Sequence, residues 1–218
     1  MSVTLAKGGN VSLSTVAPHL SAVEVGLGWR ARPGGREPAD LAEAAERGEP
    51  VDPAAAPFDL DASALLCAHG RVLGDDWFVF YNNLKSPDGS VEHMGDELRG
   101  GTGAQDDETI QVDLEQVPPE VDAIVFCVSI YEAEIRGQNF GRVSDAYIRV
   151  VDQADGSELA RYDLTGEASE QTAMVFGELV RAEADGPSGR GDWRFHAVGR
   201  GYPTGLRGIA LQHGVNVQ

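Results

Sequence analysis

Apolar and polar residues alternate over short distances along this chain, and glycine or proline breaks the pattern often. Ten segments rich in β-branched and aromatic residues carry it: Val11 to Leu13, Val23 to Leu27, Ala64 to Cys67, Trp77 to Tyr81, Ile110 to Leu114, Ile124 to Ile130, Ala146 to Val151, Glu158 to Tyr162, Thr172 to Val180 and Trp193 to Val198. Residues two apart share one face of an extended chain, so these segments predict about ten strands. Gln153-Ala-Asp-Gly156 predicts a hairpin turn, and Asp185-Gly-Pro-Ser-Gly-Arg-Gly191 joins another pair by a longer loop, so antiparallel pairing is expected. Ten strands without interleaved helices predict two packed sheets, because one sheet of that size would leave an apolar face uncovered. The expected fold is a mainly all-β, two-sheet antiparallel β-sandwich, a single domain over residues 1–218.

Two stretches read as helical, Leu41 to Arg47 and a short C-terminal helix over Gly205 to His213, which stops before a C′ glycine at Gly214. Residues 31–57 are rich in Pro, Ala and Glu and apolar only in alanine, which predicts a mobile loop insertion on the surface. Glycine, 27 of 218 residues, and 11 prolines are too frequent for long helices.

Charge narrows the function. The 35 acidic residues outnumber the 17 Lys and Arg and leave a formal charge of −18. With no basic cluster to neutralise phosphates, a reader of DNA or RNA is excluded. The longest apolar run, Ala123 to Val128, falls far short of the roughly 18 residues a spanning helix needs, and Met1 to Lys7 lacks the apolar region of a signal peptide, so a soluble intracellular protein is expected. Cys67 and Cys127 lie in apolar sequence without a CxxC partner and read as buried, reduced thiols. A cation or a basic partner suits such a surface.

Between Asp88 and Asp113 the chain carries eight carboxylates and a single basic residue, Arg99. Such density is costly unless the groups are solvated or bind metal. Asp59 and Asp61, two apart in Phe58-Asp-Leu-Asp-Ala-Ser63, point to the same side of an extended chain. Asn82-Asn83-Leu84-Lys85-Ser86-Pro87-Asp88-Gly89-Ser90 adds amide, hydroxyl and carboxylate oxygens on a turn. These hard oxygen donors suit calcium better than magnesium or zinc. An EF-hand is excluded, since Gly89 at loop position six puts Gly95 where the bidentate acid belongs. A calcium site, a solvated acidic edge and a carboxylate pair for glycoside hydrolysis all remain open on the residues alone.

Six motifs, in order, carry a resemblance: Leu5-Ala-Lys-Gly-Gly-Asn-Val-Ser-Leu13, Val25-Gly-Leu-Gly-Trp29, Phe58-Asp-Leu-Asp-Ala-Ser63, Phe80-Tyr-Asn-Asn-Leu-Lys-Ser-Pro-Asp-Gly-Ser90, Asp106-Asp-Glu-Thr-Ile-Gln-Val-Asp-Leu114 and Arg136-Gly-Gln-Asn-Phe-Gly141. Together with Ala173 to Leu179 and Val198-Gly-Arg-Gly-Tyr202, they closely resemble the TerD-like tellurium-resistance and stress-response proteins over nearly the whole chain. The resemblance implies a cytoplasmic β-sandwich that binds calcium, two adjacent ions among them, and acts in resistance to tellurite and other chemical stress. It implies partners among other Ter-family proteins, in assemblies at the inner face of the membrane, without insertion of this chain. It places the calcium ligands among Asp59, Asp61, Asn82, Asn83, Ser86, Asp88, Asp96, Asp106, Asp107 and Glu108. Two departures stand out: Arg30 where relatives often carry Asp, and a longer connection over residues 31–57.

The remaining candidates are weaker. The five histidines are scattered without an i, i+4 pair. Gly100-Gly-Thr-Gly103 lacks the Lys-Ser/Thr of a phosphate loop. The alternative to a non-enzymatic scaffold is a metal-assisted hydrolase using a carboxylate pair such as Asp59 and Asp106.

Overall fold

The computed structural model describes residues 2–31, 46–48, 58–95, 106–164, 170–182 and 192–217. Thirteen strands run in chain order: β1 (Val3–Leu5), β2 (Asn10–Ser12), β3 (Ala22–Ala31), β4 (Leu60–Ala68), β5 (Arg71–Val72), β6 (Phe78–Val79), β7 (Val91–His93), β8 (Glu108–Asp113), β9 (Ala123–Ile130), β10 (Val143–Asp152), β11 (Glu158–Asp163), β12 (Ala173–Arg181) and β13 (Trp193–Tyr202). A six-stranded sheet has the order β1-β11-β10-β3-β8-β7, and a seven-stranded sheet the order β2-β13-β12-β9-β4-β5 with β6 also on β4. Three short α-helices, α1 (Leu13–Val16), α2 (Ala133–Arg136) and α3 (Gly205–Gln212), and 3-10 turns at Asp75–Trp77 and Phe140–Arg142 accompany them.

The two sheets pack face to face, as the alternation predicts. Val23, Val25, Leu27, Ile110, Val112, Ile148 and Val150 of one layer meet Leu60, Ala62, Ala64, Leu66, Phe126, Val128, Phe176 and Phe195 of the other, all buried. The seven-stranded sheet has a second apolar face, where Leu65, Cys67, Val125, Cys127 and Val175 lie beneath Ile209 and Ala210 of α3. Strand β9 therefore reads as a nearly continuous apolar run, because both of its faces are covered. Helix α3 ends in a Schellman motif: Val215 N–H donates to Ala210 O (2.9 Å) and Gly214 N–H to Leu211 O (3.1 Å), with Gly214 at φ +86°. Cys67 and Cys127 are buried free thiols, as expected.

All ten expected strands are present. The segment Val11 to Leu13 is cut short because the Ser12 hydroxyl accepts from Thr15 N–H and starts α1. Three strands lacked a sequence signal: β1, β5 and β7 have only two or three residues each, too few to show a period. The antiparallel expectation needs one correction, since β1 pairs parallel to β11, Val3 opposite Ala160. The reason is topological: after β1 the chain turns through Gly8 and Gly9 and crosses to the other sheet as β2, so no hairpin joins β1 to its neighbour. Most of the 31–57 segment, the side chain of Arg30, Asp96, Gly100–Gly103 and the 185–191 loop lie outside the described residues.

Candidate functional site

Strands β3 and β7 end, and β4 and β8 begin, at one end of the sandwich, and the run Asp106-Asp107-Glu108 enters there. Consecutive residues of an extended chain point to opposite sides, so the three carboxylates separate. Glu108 is in phase with Ile110 and Val112 and turns into the sandwich. Its Oε2 accepts from Ala62 N–H of β4 and faces His93 Nε2 at 3.4 Å, with both side chains buried. Strand β6 pairs only with Ala64 and Leu65 of β4, so at Ala62 the carboxylate takes the place of a neighbouring strand. Gly95 N–H donates to His93 Nδ1 (3.0 Å), which leaves Nε2 as the proton-bearing nitrogen of the neutral ring toward Glu108.

Asp107 closes the end of β3. Its Oδ2 accepts from Trp29 N–H (2.8 Å) while its own N–H donates to Leu27 O (2.8 Å).

Asp106 lies on the outer face of the six-stranded sheet. Arg149 Nε donates to both of its oxygens (2.8 and 3.0 Å) and the Tyr147 hydroxyl to Oδ1 (2.8 Å), with the Asp106 side chain only 2% exposed. Gly26 makes room for it, since a Cβ there would stand 1.9 Å from Asp106 Oδ2; Gly28 likewise lies beneath the Tyr147 ring. Burial, then the hydrogen bond and charge of Asp106, push the Tyr147 phenol up to about 12. The hydrogen bond to Asp106 likewise raises Arg149. Arg161 stacks on the Tyr147 ring at 3.8 Å and pairs with Asp163 at 2.8 Å, extending the network along the sheet.

Asp61 stands on β4 between Leu60 and Ala62 of the core, half-buried and opposite Ser129, and Asp59, the residue before β4, is exposed. Asn82 is exposed in the β6–β7 connection, and Asn83 Nδ2 donates to Asp76 O (3.0 Å) and Phe78 O (2.7 Å). Ser86 donates to Asp88 Oδ1 (2.7 Å) and accepts from Val91 N–H (3.0 Å), while Asp88 Oδ2 is buried with no hydrogen-bond partner among the described residues.

The candidate ligands thus fall into two groups. Asp59, Asp61, Asp106, Asp107 and Glu108 lie toward one end but in different layers, Asp106 on the outer face of the six-stranded sheet, Glu108 between the sheets and Asp61 on the seven-stranded sheet out of phase with its core residues, whereas Ser86 and Asp88 form a hairpin tip beyond Val91. The partner of Val91 is Val112, four residues from Glu108, or about 13 Å of strand. No single ion spans that distance, since calcium bonds to oxygen at roughly 2.3–2.6 Å. Among the described residues no group of three or more His, Cys, Asp or Glu is arranged to hold a metal. The described side chains offer hard oxygens but do not by themselves make up the six to eight ligands calcium takes.

Sequence reasoning missed His93, Tyr147 and Arg149. The signal for His93 was its phase with Val91, and for the other two their alternation with the buried Ile148 and Val150. The acidic end also carries five exposed large apolar side chains: Tyr81, Leu84 and Met94 around the β6–β7 connection and its exit, and Tyr131 and Ile135 after β9. No helix among the described residues is long and apolar enough to cross a membrane.

Comparison with known proteins agrees with this architecture. The chain is 49% identical over 217 residues to the tellurium resistance protein TerD of Serratia marcescens, covering 99% of each chain. It is 41% identical to general stress protein 16U of Bacillus subtilis (strain 168), covering both chains completely. A solved structure, a homologue of telluride resistance protein (TerD) from Streptomyces coelicolor A3(2), superposes with a TM-score of 0.60 over 88% of this chain and 95% of that one; at 24% identity it bears on the fold alone. The TerD domain model matches residues 1–213, and the chain belongs to the TerD domain family.

Proposed function

We propose that this protein is a non-enzymatic, calcium-binding scaffold of the response to tellurite and other chemical stress, working with other Ter-family proteins in membrane-associated assemblies. The stress-response part rests on the names of its relatives, which include tellurium resistance proteins, a general stress protein and a chemical-damaging agent resistance protein. What supports the binding part is the number of carboxylates, Asp59, Asp61, Asp106, Asp107 and Glu108, carried in different layers at the end of the sandwich where Tyr81, Leu84, Met94, Tyr131 and Ile135 are exposed. Hard oxygen donors in that number favour calcium over softer metals. Uncovered apolar side chains beside them give a partner something to bury.

Bound calcium would supply positive charge at the densest part of a −18 chain and so reduce its repulsion from an anionic membrane surface. The hydrolase reading has less support among the described residues. A cavity of about 190 Å³ beside α1 and Trp193 opens at Leu114, the far end of β8 from Glu108, and brings no apolar pocket to the carboxylates.

The test is calorimetric titration of chelator-stripped protein with calcium, paired with melting curves in calcium and in magnesium at equal ionic strength. Saturable heat and a larger rise in melting temperature with calcium are expected, because binding to the native state stabilises it by RT ln(1 + [L]/Kd). Equal stabilisation by magnesium or by monovalent salt would leave only a screened acidic edge. For the assembly, co-sedimentation from lysate in calcium or in chelator, with the Asp61→Ala, Asp107→Ala double variant as control, should show calcium-dependent recovery of partners by the wild type alone.

A further inference from the structure

Two glycine-rich motifs that the acidic end does not use, Leu5-Ala-Lys-Gly-Gly-Asn10 and Val198-Gly-Arg-Gly-Tyr202, meet on the flank of the sandwich. Gly8 N–H donates to Ala197 O (2.7 Å), and Ala197 N–H donates to Gly9 O (2.9 Å). Beside this junction β13 bulges: Val175 of β12 pairs with Arg200 and Gly177 with Ala197, so β13 spends one residue more than its partner. Gly199 occupies the bulge at φ +58°, and a Cβ there would stand 2.3 Å from the Tyr162 phenol oxygen. Gly201 packs just as closely on Gln171, with a Cβ 2.3 Å from Gln171 Cγ. The two glycines thereby fix the path on which Arg200 stands and the position of Gln171 beside it.

These residues line a cavity of about 320 Å³, floored by Met174 and bordered by Lys7, Gln171 and Arg200. That is within the range of small-ligand sites, roughly 300–1,000 Å³. Acidic residues outnumber Lys and Arg by 35 to 17 in the chain, yet the lining has two cationic side chains and no carboxylate among the described residues. Arg200 makes no ion pair or side-chain hydrogen bond among the described residues. Gln171 Oε1 is buried and has no hydrogen-bond partner there either. A buried acceptor left without a donor is destabilising, so the amide oxygen favours any ligand that brings an O–H.

We propose that this cavity binds a small protonated oxyanion, with Arg200 and Lys7 pairing its negative oxygens and Gln171 Oε1 accepting its O–H. Hydrogen phosphate has both features, whereas sulfate at neutral pH has the charge and the shape but no proton to donate. The site is separate from the acidic end and does not rest on calcium binding.

The test is isothermal titration of the purified protein with inorganic phosphate at neutral pH, without added calcium and at constant ionic strength, and the same titration with sulfate. Saturable phosphate binding is expected, with sulfate weaker by tenfold or more. Arg200 and Lys7 are exposed, and Arg200→Gln and Lys7→Gln, with unchanged melting curves as the check on folding, should each weaken phosphate tenfold or more, since a charge-assisted hydrogen bond is removed. Gln171→Leu should bring phosphate down to the level of sulfate. Absence of saturable heat, or unchanged phosphate binding by Arg200→Gln, would overturn the site; equal affinity of the wild type for both anions would overturn the assignment of a protonated ligand.

Discussion

Substituting Gly26 by alanine tests whether Asp106 is held by the sheet beneath it. The added Cβ would lie 1.9 Å from Oδ2 and 2.3 Å from Cγ of Asp106, too close for any rotamer that keeps the carboxylate on Arg149. The carboxylate must move, and with it go both Arg149 bonds and the Tyr147 bond. Breaking a buried ion pair costs about 3–5 kcal/mol, and the partly solvated guanidinium puts this one near the lower value, about 3 kcal/mol. For a chain of this length that corresponds to roughly 6–12 °C in melting temperature. The decisive comparison is a double-mutant cycle by guanidinium denaturation at one fixed calcium concentration, since bound ion would shift every variant by mass action. Asp106→Ala alone should cost about the same 3 kcal/mol, because it breaks the same pair. In that background Gly26→Ala should add almost nothing, because the atoms its Cβ meets are gone. An additive double variant, losing about 6 kcal/mol, would refute the reasoning and assign Gly26 to a backbone role.

Other outcomes follow from the same contacts. Asp107→Ala should cost about 1–3 kcal/mol in chelated protein because Trp29 N–H loses its acceptor, whereas Asp107→Asn should cost less. Both should lose calcium stabilisation, as should Asp61→Ala, which is checked by melting each in calcium and in chelator. The Tyr147 phenol, raised from 10.0 to about 12, contributes stability that is present below pH 10 and lost as pH climbs through 12; Tyr147→Phe should flatten that alkaline decline in denaturation midpoints. Burial pushes the Cys67 thiol up to about 12 and raises Cys127 as well, so neither should react with iodoacetamide at about pH 8 until guanidinium unfolds the protein.

The fold was legible because its strands are half-buried and alternate, and because Gly214 marks the end of α3 by a backbone need that glycine meets best. Strands of two or three residues were not legible, since a period of two needs several repeats to show. Nor was the parallel β1–β11 pair, which depends on where residues far apart in sequence come to rest. At the acidic end, type and spacing singled out the carboxylates, and the position of Asp61 between two core residues follows from strand geometry. What they touch was hidden: that Asp106 is spoken for by Arg149 depends on registering β3 between β8 and β10, and that Glu108 faces inward depends on where β8 begins. His93 looked like one of five scattered histidines because its partner comes from the neighbouring strand rather than from its own sequence vicinity.

The crossing of the first two strands between the sheets bears on how the protein is made. Val3 pairs with Ala160 and Val11 with Phe195, and the Ser2 hydroxyl donates to Glu158, 156 residues away. At a synthesis rate of about 5–20 residues per second, the opening segment waits roughly 10–40 s on the ribosome before its partners emerge. Until then the inner faces of β3 and β4 lack the strands that complete the sandwich on that flank, and closing it joins segments at large sequence separation, which slows folding. A truncation removing β13 should therefore strand β2 and yield aggregate rather than a smaller soluble domain.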